Sequence, residues 1–176
     1  MQLEAAQRLS AAPADSIEAK LLSLGLSKAD AKLYRDWTFK GEVSPSNLSA
    51  YEDLFTRLSK AIPANEKDKL PTVIYRGLTT SNAVIDKFKS GVAFRIKPRL
   101  ISSWTTSKQE AIEYTDSYGL VLHAKPESVI LYLGPKLRAF LGDAQSRYPH
   151  HNKNEVICKG SPLESINKKT AELIDY

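Results

Sequence analysis

The chain reads as an α+β protein in which a helical first third packs on a strand-rich remainder, and three observations predict this. Apolar residues up to position 62 recur at helical spacing. From position 71 they alternate or gather in short runs, as strands do. At 176 residues with 42% hydrophobic composition, the chain is long enough for one sizeable core and fits a single domain over 1–176.

The first helix is signalled by Asp15 and Glu18 at the spacing of a capping box. Ile17, Leu21 and Leu24 lie on one face, and Gly25 is placed to end it. A second helix begins at Ser27 and carries Leu33, Tyr34 and Trp37; 41–46 is a loop. Leu48, Tyr51, Leu54, Phe55, Leu58 and Ile62 give a third helix, which Pro63 stops. The aromatic residues of this helical portion, 1–62, are core residues rather than a ligand box.

Beyond position 71, Val73-Ile74-Tyr75 is a strand that ends at Arg76-Gly77. Ser81 caps a helix through Ala83, Val84, Ile85 and Phe88 that stops at Gly91. Val92, Phe94 and Ile96 alternate with Ala93, Arg95 and Lys97, the pattern of a half-buried strand. Leu100 and Ile101 start a short strand that runs into Ser102, Ser103, Thr105, Thr106 and Ser107 around Trp104. Ser107 and Glu110 repeat the capping-box spacing and open a helix through Ala111 and Tyr114. Leu120-Val121-Leu122 and the run 128–133 follow as strands, then a helical stretch over 136–141, a polar loop over 142–154, and a strand at Glu155-Val156-Ile157-Cys158. Short strands joined by small helices favour α+β over a doubly wound parallel sheet.

Composition narrows the function. The single cysteine, Cys158, excludes an intrachain disulfide framework and any cysteine-based metal cluster, and it reads as a packed strand residue rather than a nucleophile. No basic leader with an apolar core opens the chain and no segment reaches the length of a membrane span, so a cytoplasmic protein without a membrane partner is expected. The formal charge is +5, and 136–159 holds five Lys or Arg against two acids, with His150 and His151 between them. That segment is either a polyanion-binding face or a solvated basic loop. Glycine-rich nucleotide loops and the His-Glu-x-x-His zinc motif are absent, and His150-His151 has no companion ligands, so no metal is expected.

Three residues with useful chemistry stand at the edges of apolar runs: Arg76, Ser103 twenty-seven residues later, and Glu155 fifty-two beyond that. In this order they resemble the arginine, serine-x-serine and glutamate constellation of the R-S-E class of mono-ADP-ribosyltransferases, which includes clostridial exoenzymes and the Alt and Mod enzymes of T-even bacteriophages. The likeness covers 71–159. It rests on Ile74-Tyr75-Arg76-Gly77-Leu78, on the run from Leu100 through Ser103-Trp104-Thr105 to Ala111, and on Glu155-Val156-Ile157.

The resemblance implies an ADP-ribosyltransferase-like core of two facing, mainly antiparallel sheets with NAD bent in the cleft between them. It implies cleavage of the bond between nicotinamide and ribose, with transfer of ADP-ribose to a protein or nucleic-acid acceptor. Arg76, Ser103 and Glu155 would be the catalytic set, and Gly77, Trp104, Thr105, Tyr114 and Tyr118 would join Arg76 and Ser103 around NAD. Ser102 is the alternative alignment for the first hydroxyl, and Trp104 either packs under the cofactor or closes the core. Each residue type suits its task. A guanidinium is a permanent cation that grips phosphate oxygens, and a carboxylate beside a developing oxocarbenium ion lowers its energy.

Arginine-modifying members carry glutamate two residues before the catalytic glutamate, where this chain has Lys153. A cation there disfavours an incoming guanidinium. With Arg147, Tyr148 and His151 in the same loop, Lys153 points to an anionic acceptor, RNA or DNA or an acidic protein surface. An NAD glycohydrolase would use the same site, and a basic nucleic-acid-binding module without catalysis would explain the charge but not the ordered trio. A monomer acting as a phage or bacterial effector completes the expectation.

Overall fold

The computed structural model describes residues 16–176 apart from 41–42, 98, 143–147, 149–153 and 164. Three helices come first: α1 (Ser16–Ser23), α2 (Lys28–Lys40) and α3 (Leu48–Ala61). Asp15, half of the expected first capping box, lies outside the described residues. Gly25 does end the first helical segment, with φ of +90°, a conformation that costs an L side chain energy. The second helix opens on a reciprocal cap: Ser27 Oγ accepts the Asp30 N–H at 3.1 Å, and Asp30 Oδ2 accepts the Ser27 N–H at 2.9 Å. Arg57 of α3 then grips both Asp30 oxygens at 2.8 and 2.9 Å, which ties the two helices together.

A 3-10 turn (Ala64–Glu66) leads to β1 (Ile74–Leu78), α4 (Asn82–Lys89), β2 (Ile101–Thr105), α5 (Lys108–Glu113), β3 (Tyr118–Ala124), β4 (Val129–Leu133), α6 (Pro135–Leu141), β5 (Glu155–Lys159) and β6 (Ala171–Asp175). The fold is therefore α+β as the sequence predicts. Ser81 caps α4 by accepting the Val84 N–H at 3.3 Å, and Ser107 caps α5 by accepting the Glu110 N–H at 3.2 Å. One expected strand does not form. Of Val92, Phe94 and Ile96 only Phe94 pairs, with Ile166, and Val92 is 61% exposed. The alternation is real, but it serves a single bridge at the margin of the core. Strand β6, not anticipated, covers the outer edge of β3 over five register pairs.

The strands make one six-stranded antiparallel sheet in the order β4-β5-β2-β1-β3-β6, in place of two facing sheets. The joint between β1 and β2 is narrow. One register pair, Tyr75 with Thr105, holds them, whereas the other neighbouring strands share four or five.

Apolar side chains alternate across the sheet and divide the core. Ile101, Leu131, Leu133 and Ile157 face the helices and pack with Ile17, Leu21, Trp37, Tyr51, Leu54, Phe55 and Leu58. On the other side, Trp104, Val156 and Cys158 from β2 and β5 meet Ile74, Leu120, Leu122 and Ala171 from β1, β3 and β6. Each fully buried Leu or Ile contributes about 1.5–3 kcal/mol of transfer free energy, so these two clusters hold the sheet against its own narrow joint. Among the described residues, no helix is long and apolar enough to cross a membrane.

Candidate active site

Glu155 is the first residue of β5, directly opposite Thr105, which in turn stands opposite Tyr75. Ser103, two residues before Thr105, shares its face of β2 and reaches Glu155 diagonally across the strand pair. Its hydroxyl donates to Glu155 Oε2. The other oxygen, Oε1, accepts from the indole N–H of Trp37 in α2 at 3.1 Å. Burial pushes the Glu155 carboxyl above its ordinary range, and the bonds from Ser103 and Trp37 pull part of the way back.

Trp37 is fixed in turn by aromatic neighbours. Its ring meets Phe55 edge-on at 5.2 Å and lies 5.8 Å from Tyr51. Sequence reasoning placed Trp37 in the core and missed this bond. The available signal was chemical: a buried indole N–H needs an acceptor.

The neighbouring serine does something else. Ser102, fully buried on the opposite face, donates to the Gly160 carbonyl at 2.6 Å and accepts the indole N–H of Trp104 at 2.9 Å. Ser103 is thus the hydroxyl at the carboxylate, and Ser102 belongs to the core. Trp104, for which the sequence allowed a place under the cofactor or in the core, is 2% exposed within the cluster between the strands, so it closes the core rather than facing a cofactor.

Thr105 is also bound structurally. Its hydroxyl donates to Glu110 Oε2 at 2.9 Å and accepts the Ser107 N–H at 3.1 Å, so it completes the cap of α5. The Glu110 carboxylate additionally accepts from the backbone and side-chain N–H groups of Asn154, both at 3.4 Å, and Asn154 Oδ1 accepts from Arg138 at 2.8 Å. Glu110, read from sequence only as a capping residue, instead ties the end of β2 to the start of β5 beside Glu155.

Arg76 lies in β1 opposite Leu122, one position beyond the Tyr75–Thr105–Glu155 row, on the strand face that carries Ile74 and Leu78. The register therefore brings it to the strand adjoining Ser103 while its side chain starts from the other face of β1. Gly77 has a packing reason of its own: a Cβ there would stand 1.9 Å from the Ala111 carbonyl oxygen of α5. Tyr114 is 46% exposed, and its phenol is pushed up first by burial and then by the charge of Glu155, which puts it within electrostatic reach of that carboxylate. Tyr118, the other candidate for stacking on nicotinamide, donates its hydroxyl to Asn82 at the start of α4 at 3.1 Å.

Of the expected acceptor-binding residues, Arg147, His151 and Lys153 lie outside the described residues. Tyr148, expected at the acceptor, is 1% exposed and packs 6.1 Å from Tyr34, so it is a core residue. Among the described residues no three His, Cys, Asp or Glu side chains gather into a possible metal site.

Neither a protein-family model, nor a curated protein, nor a solved structure matches the chain.

Proposed function

We propose that the protein is an NAD-dependent mono-ADP-ribosyltransferase whose catalytic carboxylate is Glu155. The single observation that carries the reading is the Ser103 hydroxyl on the Glu155 carboxylate, two residues distant along the chain by fifty-two positions yet joined at the edge of paired strands. The narrow joint between β1 and β2 supports it, because it divides the six strands into two sets of three that share a cluster of side chains, an arrangement akin to the two-sheet core of the resembling family.

NAD is the substrate. As the bond from ribose C1′ to the nicotinamide nitrogen breaks, its electron pair passes to the pyridinium ring, neutral nicotinamide leaves, and positive charge builds on the sugar. An ionised Glu155 stabilises that charge electrostatically in a partly dehydrated site. A carboxylate oxygen accepts at two lone-pair positions, so Oε1 and Oε2 can each keep the bond from Trp37 or Ser103 and still accept a ribose hydroxyl. An acceptor nucleophile then bonds to C1′ and releases its proton. By the resemblance Arg76 would be the guanidinium for the pyrophosphate, although its side chain leaves β1 from the face opposite Ser103 and Glu155, so Arg76→Ala is the variant that tests its place in the set.

Incubation with NAD labelled in its adenylate portion, followed by separation of protein from nucleic acid, tests the proposal. Wild type is expected to release nicotinamide and label one fraction, and Glu155→Gln to do neither. Nicotinamide release without label would identify the glycohydrolase; no release by wild type would sink the proposal.

A further inference from the structure

We propose that the extended segment around Arg95 and Lys97, with the turn paired to it, is a binding surface for the phosphate backbone of nucleic acid. Residues 87–99 contain Lys87, Lys89, Arg95, Lys97 and Arg99 and no acid, a local excess of +5 that equals the net charge of the whole chain. Outside it, twenty Lys and Arg stand against twenty Asp and Glu. A charge excess so localised makes a directed field rather than a diffuse one.

The fold holds this segment in place and turns its cations outward. Phe94 and Ile166 exchange backbone hydrogen bonds of 3.0 and 2.8 Å. Phe94 and Ile96 pack against the cluster between the strands, while Arg95, Lys97 and Arg99 are exposed. The partner turn adds the exposed Lys168 and Lys169, and it is braced: Asn167 accepts the Lys169 N–H at 2.8 Å, and Thr170 Oγ1 accepts the Asn167 N–H at 3.0 Å. Lys87 and Lys89 sit in the last turn of α4, just before the segment begins.

Spacing selects the partner. Alternate residues of an extended chain recur about every 6.6 Å, close to the separation of successive phosphates along a nucleic-acid strand, so cations at that interval meet anions one for one. An anionic bilayer offers no such repeat, and the two largest apolar residues of the segment, Phe94 and Ile96, face inward rather than toward a bilayer. From Arg99 to Ser103 is four residues, at most about 13 Å of chain. A nucleic-acid strand held on the segment thus needs only a few further nucleotides to reach the candidate carboxylate. Its use as the acceptor rests on the ADP-ribosyltransferase reading; the binding does not.

The test is fluorescence anisotropy of a labelled oligouridylate across a salt titration. It compares wild type with Lys89→Gln/Arg95→Gln/Lys97→Gln, and with a control of equal charge change on the helices, Lys28→Gln/Lys32→Gln/Lys60→Gln. Wild type should bind with steep salt dependence. The segment variant should lose roughly tenfold or more in affinity, with the slope of log affinity against log salt shallower by about 2, as expected for three lost single-strand phosphate contacts. The control should stay near wild type, and NAD cleavage should be unchanged in both. If the segment variant melts below wild type, Lys168→Gln/Lys169→Gln replaces it, with a slope change of about 1.4. Equal weakening by the control, no oligouridylate binding at low salt, or binding to phosphatidylserine vesicles in preference to the oligonucleotide would overturn the proposal. Oligonucleotide binding by a wild type that never cleaves NAD would leave the surface standing and remove the transferase.

Discussion

The indole of Trp37 donates to the carboxylate of Glu155 across 118 positions of sequence, and this bond couples the helical portion of the chain to the candidate catalytic group. Trp37→Phe keeps an aromatic ring beside Tyr51 and Phe55 and removes the N–H together with part of the buried ring, so the loss of activity is read after correction for the stability lost to the cavity. A hydrogen bond to a charged group contributes about 1.5–3 kcal/mol, so kcat should fall roughly ten- to a hundredfold while the KM for NAD changes little. Loss of a bond that pulls the carboxyl down also moves the acidic limb of the pH–rate profile to higher pH. An unshifted profile would reduce Trp37 to packing.

Glu155 also links pH to stability. Its carboxyl titrates above the ordinary value of about 4.3, so between that value and the folded one the native state holds more proton than the unfolded chain. Stability therefore falls as pH rises through that window. Glu155→Gln carries no such charge and should melt above wild type at neutral pH, by roughly 2–4 °C per kcal/mol relieved. The gap should close toward acid. Calorimetry at several pH values checks this, and a constant gap would show that the charge is not the cause.

Gly77 admits no side chain. With an added Cβ 1.9 Å from a backbone oxygen of α5, Gly77→Ala must displace that helix and with it Glu110. Overpacking of this kind costs about 1–3 kcal/mol. Urea unfolding should show the loss, and NAD cleavage should fall beyond it because Glu110 braces the strand that begins with Glu155.

Burial pushes the Cys158 thiol up to about 12, and its side chain is fully enclosed. The native protein should therefore resist alkylation at mildly alkaline pH and react fully once unfolded. Mass spectrometry after timed iodoacetamide treatment reads this directly. Rapid native labelling would mean that β5 opens far more readily than its position in the core implies.

Local chemistry made much of the fold legible. The helices ending at Gly25 and at Pro63, and those capped by Ser81 and Ser107, follow from caps and periodicity that act within a few residues. The Ser103–Glu155 pairing was legible as a motif, whereas its third member, Trp37, was not, because nothing near position 37 in sequence states what an indole N–H will meet. Tyr148 misled in the opposite way: among basic residues an aromatic suggests stacking, yet tertiary packing against Tyr34 took it inside. The alternation at Val92, Phe94 and Ile96 predicts a strand that does not form, because periodicity reports which side is buried, not whether a neighbour exists to pair with. β6 escaped notice because Ala171, Leu173 and Ile174 are few and its partner, β3, is distant in sequence.

The adjacent hydroxyls of Ser102 and Ser103 face opposite sides of one strand and answer to different partners, so their identity is set by parity of position rather than by residue type. Loss or gain of one residue within β2 would exchange them and carry Trp104 to the helical side in the same step. A change of length in this stretch would therefore cost the site more than a substitution, and the connections on either side are where an added residue does least harm.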